Sequence, residues 1–153
     1  ICKKLNNEAF SIQPIKTIKE KISDVDIISC ATLSKTPLVL GKYLKKGQHV
    51  DLVGAYKKDM READDTVITK GSVFIDTYQG GLKESGDIII LLKNGVLKES
   101  DIKADLFELS SNKKIGRQNE QEITVFKSVG HALEDLVAAS YYYDKYTETT
   151  QEN

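Results

Sequence analysis

The side chains best suited to metal or acid–base chemistry are scattered along this sequence. His49 and His131 stand apart from each other and from any Cys or carboxylate pattern, so no metal site is predicted. The acidic pairs Asp64-Asp65 and Glu134-Asp135 each join neighbouring residues, whose side chains diverge on a helix. Solvated helix faces are therefore predicted instead of shared acid–base work. Cys30 closes an apolar run, which is typical of a small buried residue. Spacing alone assigns no catalytic residue.

Ser128 gives a sharper signal. It precedes the best amphipathic pattern of the chain, in which apolar residues recur at three and four positions from Val129 onwards. A serine at this place predicts a helix N-cap. The free amides of a helix start that contains Gly130 could equally face a polar group of a ligand. Capping and ligand contact stay open at this point.

The sequence has no phosphate-binding turn of the dinucleotide type. A self-sufficient dinucleotide domain carries Gly-x-Gly-x-x-Gly between its first strand and its first helix, and no such run occurs in these 153 residues. Gly80-Gly81 and Gly86 do not stand between a predicted strand and a predicted helix. The chain by itself is therefore not expected to hold a pyrophosphate in that way.

Short apolar runs predict the elements that would position these side chains. Val25–Ala31 and His49–Ala55 are near-continuous Val, Ile and Leu runs, which are typical of parallel strands covered on both faces. Ser72–Thr77 and Asp87–Leu92 are predicted as a third and a fourth strand. Ligands of open α/β sheets bind outside the carboxyl ends of the strands. The crevice is expected at the small residues that end the first two runs, namely Cys30, Ala31, Thr32, Gly54 and Ala55.

The order of the strands and the remaining elements are also predicted. The segments near Cys30, Gly54 and Asp76 are expected to be neighbouring parallel strands. Phe10–Ile15 is predicted as an edge strand, because Pro14 within it cannot donate to a sheet ladder. The remaining predicted elements are a helix over Asp101–Leu109, a loop over Asn112–Glu122, a helix from Val129 to Tyr146 and a frayed tail beyond it.

Composition excludes several classes of protein. Hydrophobic residues make up 40% of the chain and charged residues 29%, as in an ordinary globular domain. The net charge of −1, from 22 basic and 23 acidic residues, predicts neither a nucleic acid nor an anionic membrane as partner. Ile88–Leu92 is far too short to span a bilayer. Cys2 and Cys30 match no metal-type spacing, so a reduced, cytoplasmic chain is expected.

Several motifs, in order and spacing, resemble those of the ornithine cyclodeaminase/mu-crystallin family. Together they cover the chain from Ile12 to Tyr143, and the ordered set is more specific than any one motif. The motifs are Thr32-Leu33, Thr36-Pro37, Val53–Tyr56, Asp59–Asp65, Leu82–Asp87, Thr124–Gly130, Ala132 and Glu134-Asp135.

The resemblance implies an NAD(P)-dependent fold of two parts, of which this chain matches the later section. The expected fold class is α/β, with an incomplete Rossmann-like parallel sheet, flanking helices and a long C-terminal helix. Residues 1–125 would form a partial NAD(P)-binding domain that lacks its first strands and its Gly-rich turn. Residues 126–146 would be a helix returning to a missing substrate and dimerisation domain, and 147–153 a frayed tail. Since the missing parts would precede Ile1, a fragment or one half of a split protein is expected.

The resemblance also implies functional residues. The implied cofactor is NAD(P)(H), which the chain is not expected to bind alone, and the implied partner is a missing N-terminal half or a homodimer. Tyr56 would lie beside the nicotinamide and Ser128 would hold its carboxamide, while the substrate would be a small imine or amino-acid-type molecule. The implied cofactor contacts are Thr32, Leu33, Tyr56 and Ser128, and the implied substrate contacts are Glu84 and Val129.

Departures from the family pattern narrow the activity. Cyclodeaminase-type members have Gly-Asp-x-Pro-Gly-Lys here, whereas this chain has Tyr56 for the Asp and Met60 for the Lys. Tyrosine is no carboxylate at neutral pH, since its pKa is about 10. The Arg-Glu-x-Asp-Asp run at Arg61–Asp65 resembles the mu-crystallin side, whose members reduce ketimines or related imines. An imine reductase-type polypeptide is the first hypothesis. A non-catalytic, crystallin-like binding module is the second, and a cyclodeaminase with an altered site is the third.

Overall fold

A single parallel sheet forms the centre of the computed structural model, which describes residues 2–6 and 9–151. Its strands lie in the order β1-β2-β5-β3-β4, and every neighbouring pair is parallel. The strands are β1 (Ile27–Cys30), β2 (His49–Leu52), β3 (Ser72–Ile75), β4 (Ile102–Asp105) and β5 (Thr124–Lys127). The predicted α/β fold with a parallel, Rossmann-like sheet is confirmed.

Short helices connect the strands, and one long helix follows them. Single 3-10 turns lie before β1 (Ile18–Glu20), between β1 and β2 (Gly41–Tyr43) and between β3 and β4 (Glu99–Asp101). The α-helices are α1 (Cys2–Leu5), α2 (Asp65–Lys70), α3 (Tyr78–Gly81), α4 (Gly86–Lys93), α5 (Leu106–Ser110) and α6 (Ala132–Gln151). Within the described ranges, no helix combines the length and the apolar character that crossing a bilayer requires.

Alternation along the strands gives the sheet two different faces. On the inner face, Val50, Val125 and Val73 share one row of the register and are almost fully buried. They belong to a core that includes Val67 and Ile68 of α2 and Ile88 and Leu91 of α4. The outer face is more open, since Ile27 is 65% exposed. A groove of about 570 Å³ runs along that face.

The predicted fourth strand, Asp87–Leu92, is wrong, because this run lies in helix α4. Ser85 caps the helix, with its hydroxyl accepting a hydrogen bond from the amide of Asp87 at 3.2 Å. The apolar run is buried almost all round, so it carries no alternation that could separate helix from strand. The actual fourth strand is β4, which takes up the first part of the predicted helix Asp101–Leu109. Asp105 ends β4 and caps α5 by accepting from the amide of Glu108 at 2.8 Å.

The predicted neighbourhood of the strands needs one correction. β1 and β2, near Cys30 and Gly54, are parallel neighbours as predicted. The strand that ends before Asp76 is parallel to them but not adjacent, because β5 lies between β2 and β3. Val125 of β5 pairs with Val50 on one side and with Val73 on the other. The last strand of the chain is therefore the central strand of the sheet.

The two ends of the chain also differ from expectation. Phe10–Ile15 lies outside the sheet and includes exposed apolar residues, so the predicted edge strand is wrong. The predicted boundary at residue 125 falls within β5, and the last helix begins at Ala132. That helix continues over 147–151 where a frayed tail is predicted, and hydroxyls of Thr147 and Thr149 donate to carbonyls one turn earlier. Residues 152–153 lie outside the described residues.

The cap of α4 gives a test of the helix in place of the predicted strand. Ser85→Ala removes the acceptor for the first-turn amide, so the free energy of unfolding should fall by about 1 kcal/mol. Urea denaturation followed by circular dichroism measures the change. Ser100→Ala, at an exposed position, is the matched control and should leave the midpoint unchanged. Equal midpoints for the two variants would contradict the cap.

Candidate functional site

The carboxyl edge of the sheet is organised by two buried carboxylates. The first is Glu62, which has no exposed surface and lies on the loop before α2. Its Oε1 accepts from the amide of Thr32 at 2.6 Å and from the Thr32 hydroxyl at 2.8 Å. Its Oε2 accepts from the amides of Gly54 at 2.9 Å and Ala55 at 3.1 Å. One carboxylate thus joins the ends of β1 and β2.

Asp76, also fully buried, joins the ends of β3 and β5 in the same manner. Its Oδ2 accepts from the Ser128 hydroxyl at 3.1 Å and from the amides of Val129 at 2.6 Å and Gly130 at 2.9 Å. Its Oδ1 accepts from the amide of Thr77 at 2.7 Å. Gly130 has φ +88°, a conformation that favours glycine, and this turns the loop back onto the carboxylate.

Gly54 lets the backbones after β1 and β2 approach closely. A Cβ built on Gly54 would collide with the backbone nitrogen and oxygen of Thr32, and would lie 2.5 Å from Oε1 of Glu62. Two backbone segments and the carboxylate therefore meet where only a residue without a side chain fits.

A buried ion pair lies behind these two carboxylates. Asp87 accepts from the amides of Glu62 at 2.9 Å and Ala63 at 3.1 Å, and its other oxygen lies 3.6 Å from Nζ of Lys127. Neither side chain of the ion pair is exposed. Burial raises the pKa of Asp87 and lowers that of Lys127, against the mutual attraction of the two charges. Lys127 also feels the charges of Glu62 and Asp76, so one ammonium group partly balances three carboxylates.

The structure places the first three residues of the resemblance on the β1–β2 side of this edge. Thr32 is committed to Glu62 through its amide and its hydroxyl. Leu33 is 66% exposed and Tyr56 is 43% exposed, so both present apolar surface beside the strand ends. The ring of Tyr56 lies 5.4 Å from the ammonium group of Lys57.

The other three residues of the resemblance, Ser128, Glu84 and Val129, lie together on the β3–β5 side of the edge. Ser128 is not the predicted N-cap, because α6 begins four residues later and the Ser128 hydroxyl donates to Asp76. A methyl group of Val129 and a carboxylate oxygen of Glu84 both lie close to Gly80. The amide of Ser128 donates to the carbonyl of Leu52 at 3.0 Å, which connects this side to the end of β2. All six implied residues therefore lie along one edge.

The two histidines and Cys30 are not among these six residues. His49 begins β2, at the opposite edge, 2.8 Å from the hydroxyl of Thr124. His131 borders a groove of about 720 Å³ between α5 and α6, with Asp76 and Thr77 at one end. Cys30 is buried as predicted, and burial raises the pKa of its thiol to about 11. Among the described residues, no three His, Cys, Asp or Glu side chains are placed to hold a metal ion.

Comparison with known proteins decides the family. The model of the ornithine cyclodeaminase/mu-crystallin family matches residues 1–150. The chain belongs to this family. "Protein SAR DEFICIENT 4" of Arabidopsis thaliana is 46% identical over 79% of the chain, which is 37% of that protein. A Paracoccus denitrificans Delta(1)-pyrroline-2-carboxylate reductase is 37% identical over 83% of the chain and 40% of its own length.

A solved structure of this family has the same fold over nearly the whole chain. It is the Thermococcus litoralis Delta(1)-pyrroline-2-carboxylate reductase in complex with NADH and L-proline. The TM-score is 0.87 and the identity 39%, over 97% of this chain and 45% of that one. The chain thus spans less than half the length of these relatives.

Sequence reasoning missed the buried charges that shape this family member's edge. Glu62, Asp87 and Lys127 stood only within motifs of the resemblance, and Asp76 served only to mark a strand end. One signal could have drawn attention to Asp76 and Lys127: a charged residue next to a buried strand must be paired if it is buried. Asp76 directly follows β3, and Lys127 ends β5.

Gly54→Ala tests the close approach between the strand ends. The added methyl must push apart two backbone segments, so the free energy of unfolding should fall by about 1–3 kcal/mol. Thermal and urea unfolding measure it. Gly116→Ala is the matched control, because its Cβ would meet only ordinary contact with Leu109. If both variants unfold alike, Gly54 does not limit the packing.

Lys127→Met tests the buried charge balance. Without the ammonium group the pKa of Asp87 rises further, so the folded state keeps a proton that the unfolded chain releases above the ordinary carboxyl pKa. The loss of unfolding free energy should be about 3–5 kcal/mol near neutral pH. It should be smaller at about pH 5, where protonation removes part of the uncompensated charge.

Urea denaturation at both pH values measures this loss. Lys127→Met combined with Asp87→Asn should recover part of it, because the second change removes one of the unbalanced charges. A loss that is the same at both pH values would show that Lys127 acts by packing alone.

Proposed function

We propose that this chain forms the nicotinamide side of an NAD(P)-dependent reductase that acts on cyclic imino acids of the pyrroline-2-carboxylate type. The observation that carries the proposal is the match over 97% of the chain to a reductase solved with NADH and L-proline. The carboxyl edge of this chain's sheet agrees with this function, because all six residues that the resemblance implies lie along that edge. In this proposal, activity needs the part of the relatives' length that this chain does not span.

The residues of the edge fit one end of a dinucleotide. Leu33 and Tyr56 offer exposed apolar surface to a ring and a ribose. The Ser128 hydroxyl donates its proton to Asp76, and its oxygen accepts from the amide of Gly130 at 3.1 Å, so one lone pair of that oxygen is left to accept. We infer that Ser128 accepts from the amino group of the nicotinamide carboxamide. No residue of the described chain forms a Gly-x-Gly-x-x-Gly cradle for the pyrophosphate, so binding by this chain alone is not expected.

The proposed reaction is the reduction of a C=N bond. The dihydronicotinamide supplies a hydride to the imine carbon and solvent supplies a proton to the nitrogen, which gives a cyclic secondary amino acid. In this proposal the residues of this chain bind and orient. We assign Glu84 and Val129 to the substrate side, and their common position near Gly80 supports this assignment. No proton-transferring residue is assigned within the chain.

The altered cyclodeaminase is disfavoured by Met60. This residue stands where cyclodeaminase-type members have a lysine, and it is only 7% exposed. An apolar, buried side chain offers no charge to an amino-acid substrate. Tyr56, in place of the acidic residue, does not supply the missing carboxylate.

We further propose that α6 contacts the substrate and dimerisation domain. Exposed apolar residues along this helix support the proposal, including Leu136 at 62%, Val137 at 61% and Tyr142 at 72%. The groove of about 720 Å³ beside α6 would then be part of that contact. The proposed location is the cytoplasm, which agrees with the free thiols of Cys2 and Cys30.

The test uses the protein as its gene encodes it, beside residues 1–153 alone. NADH and NADPH are titrated by fluorescence, and their oxidation is followed by absorbance with Delta(1)-pyrroline-2-carboxylate as substrate. We expect substrate-dependent oxidation by the encoded protein and no ammonia release from ornithine. A protein that binds neither NADH nor NADPH would favour the non-catalytic module. Ammonia release from ornithine would favour the cyclodeaminase.

Ser128→Ala tests the role of the hydroxyl in this reaction. Loss of one hydrogen bond to the carboxamide should raise KM for NADH by roughly fivefold and leave the imine KM nearly unchanged. Steady-state kinetics with each substrate varied in turn measures both constants. Ser100→Ala, at an exposed position that is not among the candidate site residues, should behave as wild type. A rise in the imine KM alone would place Ser128 with the substrate.

A further inference from the structure

Four hydrogen-bond donors at the ends of β1 and β2 are already satisfied inside the protein. They are the amide and hydroxyl of Thr32 and the amides of Gly54 and Ala55, and all four donate to Glu62 at 2.6–3.1 Å. Backbone amides at strand ends commonly hold the anionic groups of ligands. Here a buried carboxylate from the chain itself takes that place.

The charge of Glu62 matters as well as its shape. A carboxylate offers acceptor sites on both oxygens, and each oxygen of Glu62 accepts two donors. A glutamine of the same size has one oxygen and one amino group. The glutamine amino group would face either the two donors of Thr32 or the two amides of Gly54 and Ala55. One of the two strand ends would then lose its hydrogen bonds to residue 62.

Glu62 is held in place from behind. Its own amide and that of Ala63 donate to Asp87, which stands in the first turn of α4. The ammonium group of Lys127 lies 3.6 Å from Asp87 and attracts Glu62 as well. The carboxylate is therefore fixed relative to a helix and to the central strand, and it transfers that fixed position to the two strand ends.

We propose that Glu62 is a positioning residue that sets the spacing of the β1 and β2 ends for the nicotinamide ring of the dinucleotide. The proposal rests on the proposed function and deepens it. Because Glu62 takes all four donors, the ends of β1 and β2 have none of these left for a phosphate. They instead present Leu33 and Tyr56, which follow the tied residues directly and lie exposed.

The test compares two probes on the protein as its gene encodes it. NADH contains the nicotinamide ring, whereas ADP-ribose keeps both riboses and the pyrophosphate but lacks that ring. Glu62→Gln should raise the Kd of NADH about tenfold and change the Kd of ADP-ribose by less than about twofold. Isothermal titration at a temperature where circular dichroism shows each variant folded gives both constants.

Two variants serve as controls. Glu99→Gln makes the same chemical change at an exposed position and should leave both constants unchanged. Ile68→Ala removes core volume from α2 at a residue that makes none of the hydrogen bonds to Glu62, and should lower the melting temperature without raising the Kd of NADH. If Glu62→Gln fails to fold, Thr32→Val removes only the hydroxyl donor at nearly constant size. It should raise the Kd of NADH about threefold with no change for ADP-ribose.

Each outcome decides between the two proposals. An unchanged Kd of NADH in Glu62→Gln, or an equal rise for both probes, overturns the positioning role and leaves the proposed function standing. A wild-type protein that binds neither probe overturns the proposed function, and the positioning role falls with it. A selective loss of NADH affinity that Ile68→Ala does not reproduce supports both.

Discussion

The structure depends on how it keeps four charges buried at the carboxyl edge of one sheet. An isolated buried carboxylate is costly unless hydrogen bonds and an opposite charge compensate for its lost hydration. Glu62 and Asp76 each accept four hydrogen bonds, and Lys127 lies next to Asp87. Because these partners come from the ends of β1, β2, β3 and β5, satisfying the charges and fixing the edge are the same event.

This arrangement explains why the candidate site needs so few conspicuous residues. The donors at the edge are mostly backbone amides, and the side chains that direct them are out of reach of solvent. Directly after the residues bound to Glu62, Leu33 and Tyr56 expose apolar surface. Such a surface suits the orientation of a cofactor that carries its own reactive group, and it agrees with a family in which the dinucleotide performs the chemistry.

Much of the fold was predictable because buried parallel strands have a strong signature. The runs that contain β1, β2 and β3 end within a few residues of their predicted limits. The prediction for Asp87–Leu92 was wrong because this isoleucine-rich run is buried on almost every side. Such a run has the same sequence pattern in a buried helix and in a buried strand. The six candidate site residues came from motifs of the family. Glu62 could not be recognised as an organiser, and the partners of Asp76 could not be predicted, because a sequence does not show which acidic residues are buried or which amides they meet.

The central place of β5 has a consequence for how the protein is made. β5 (Thr124–Lys127) completes the ladder between β2 and β3, yet it is synthesised after the other four strands. Without β5, the other four strands offer two separate pairs, β1 with β2 and β3 with β4, and the edges of β2 and β3 that face β5 have no partner. Final assembly of the domain must wait for these late residues. The same insertion brings Lys127 and Ser128 into place, so the site matures in the step that joins the two pairs.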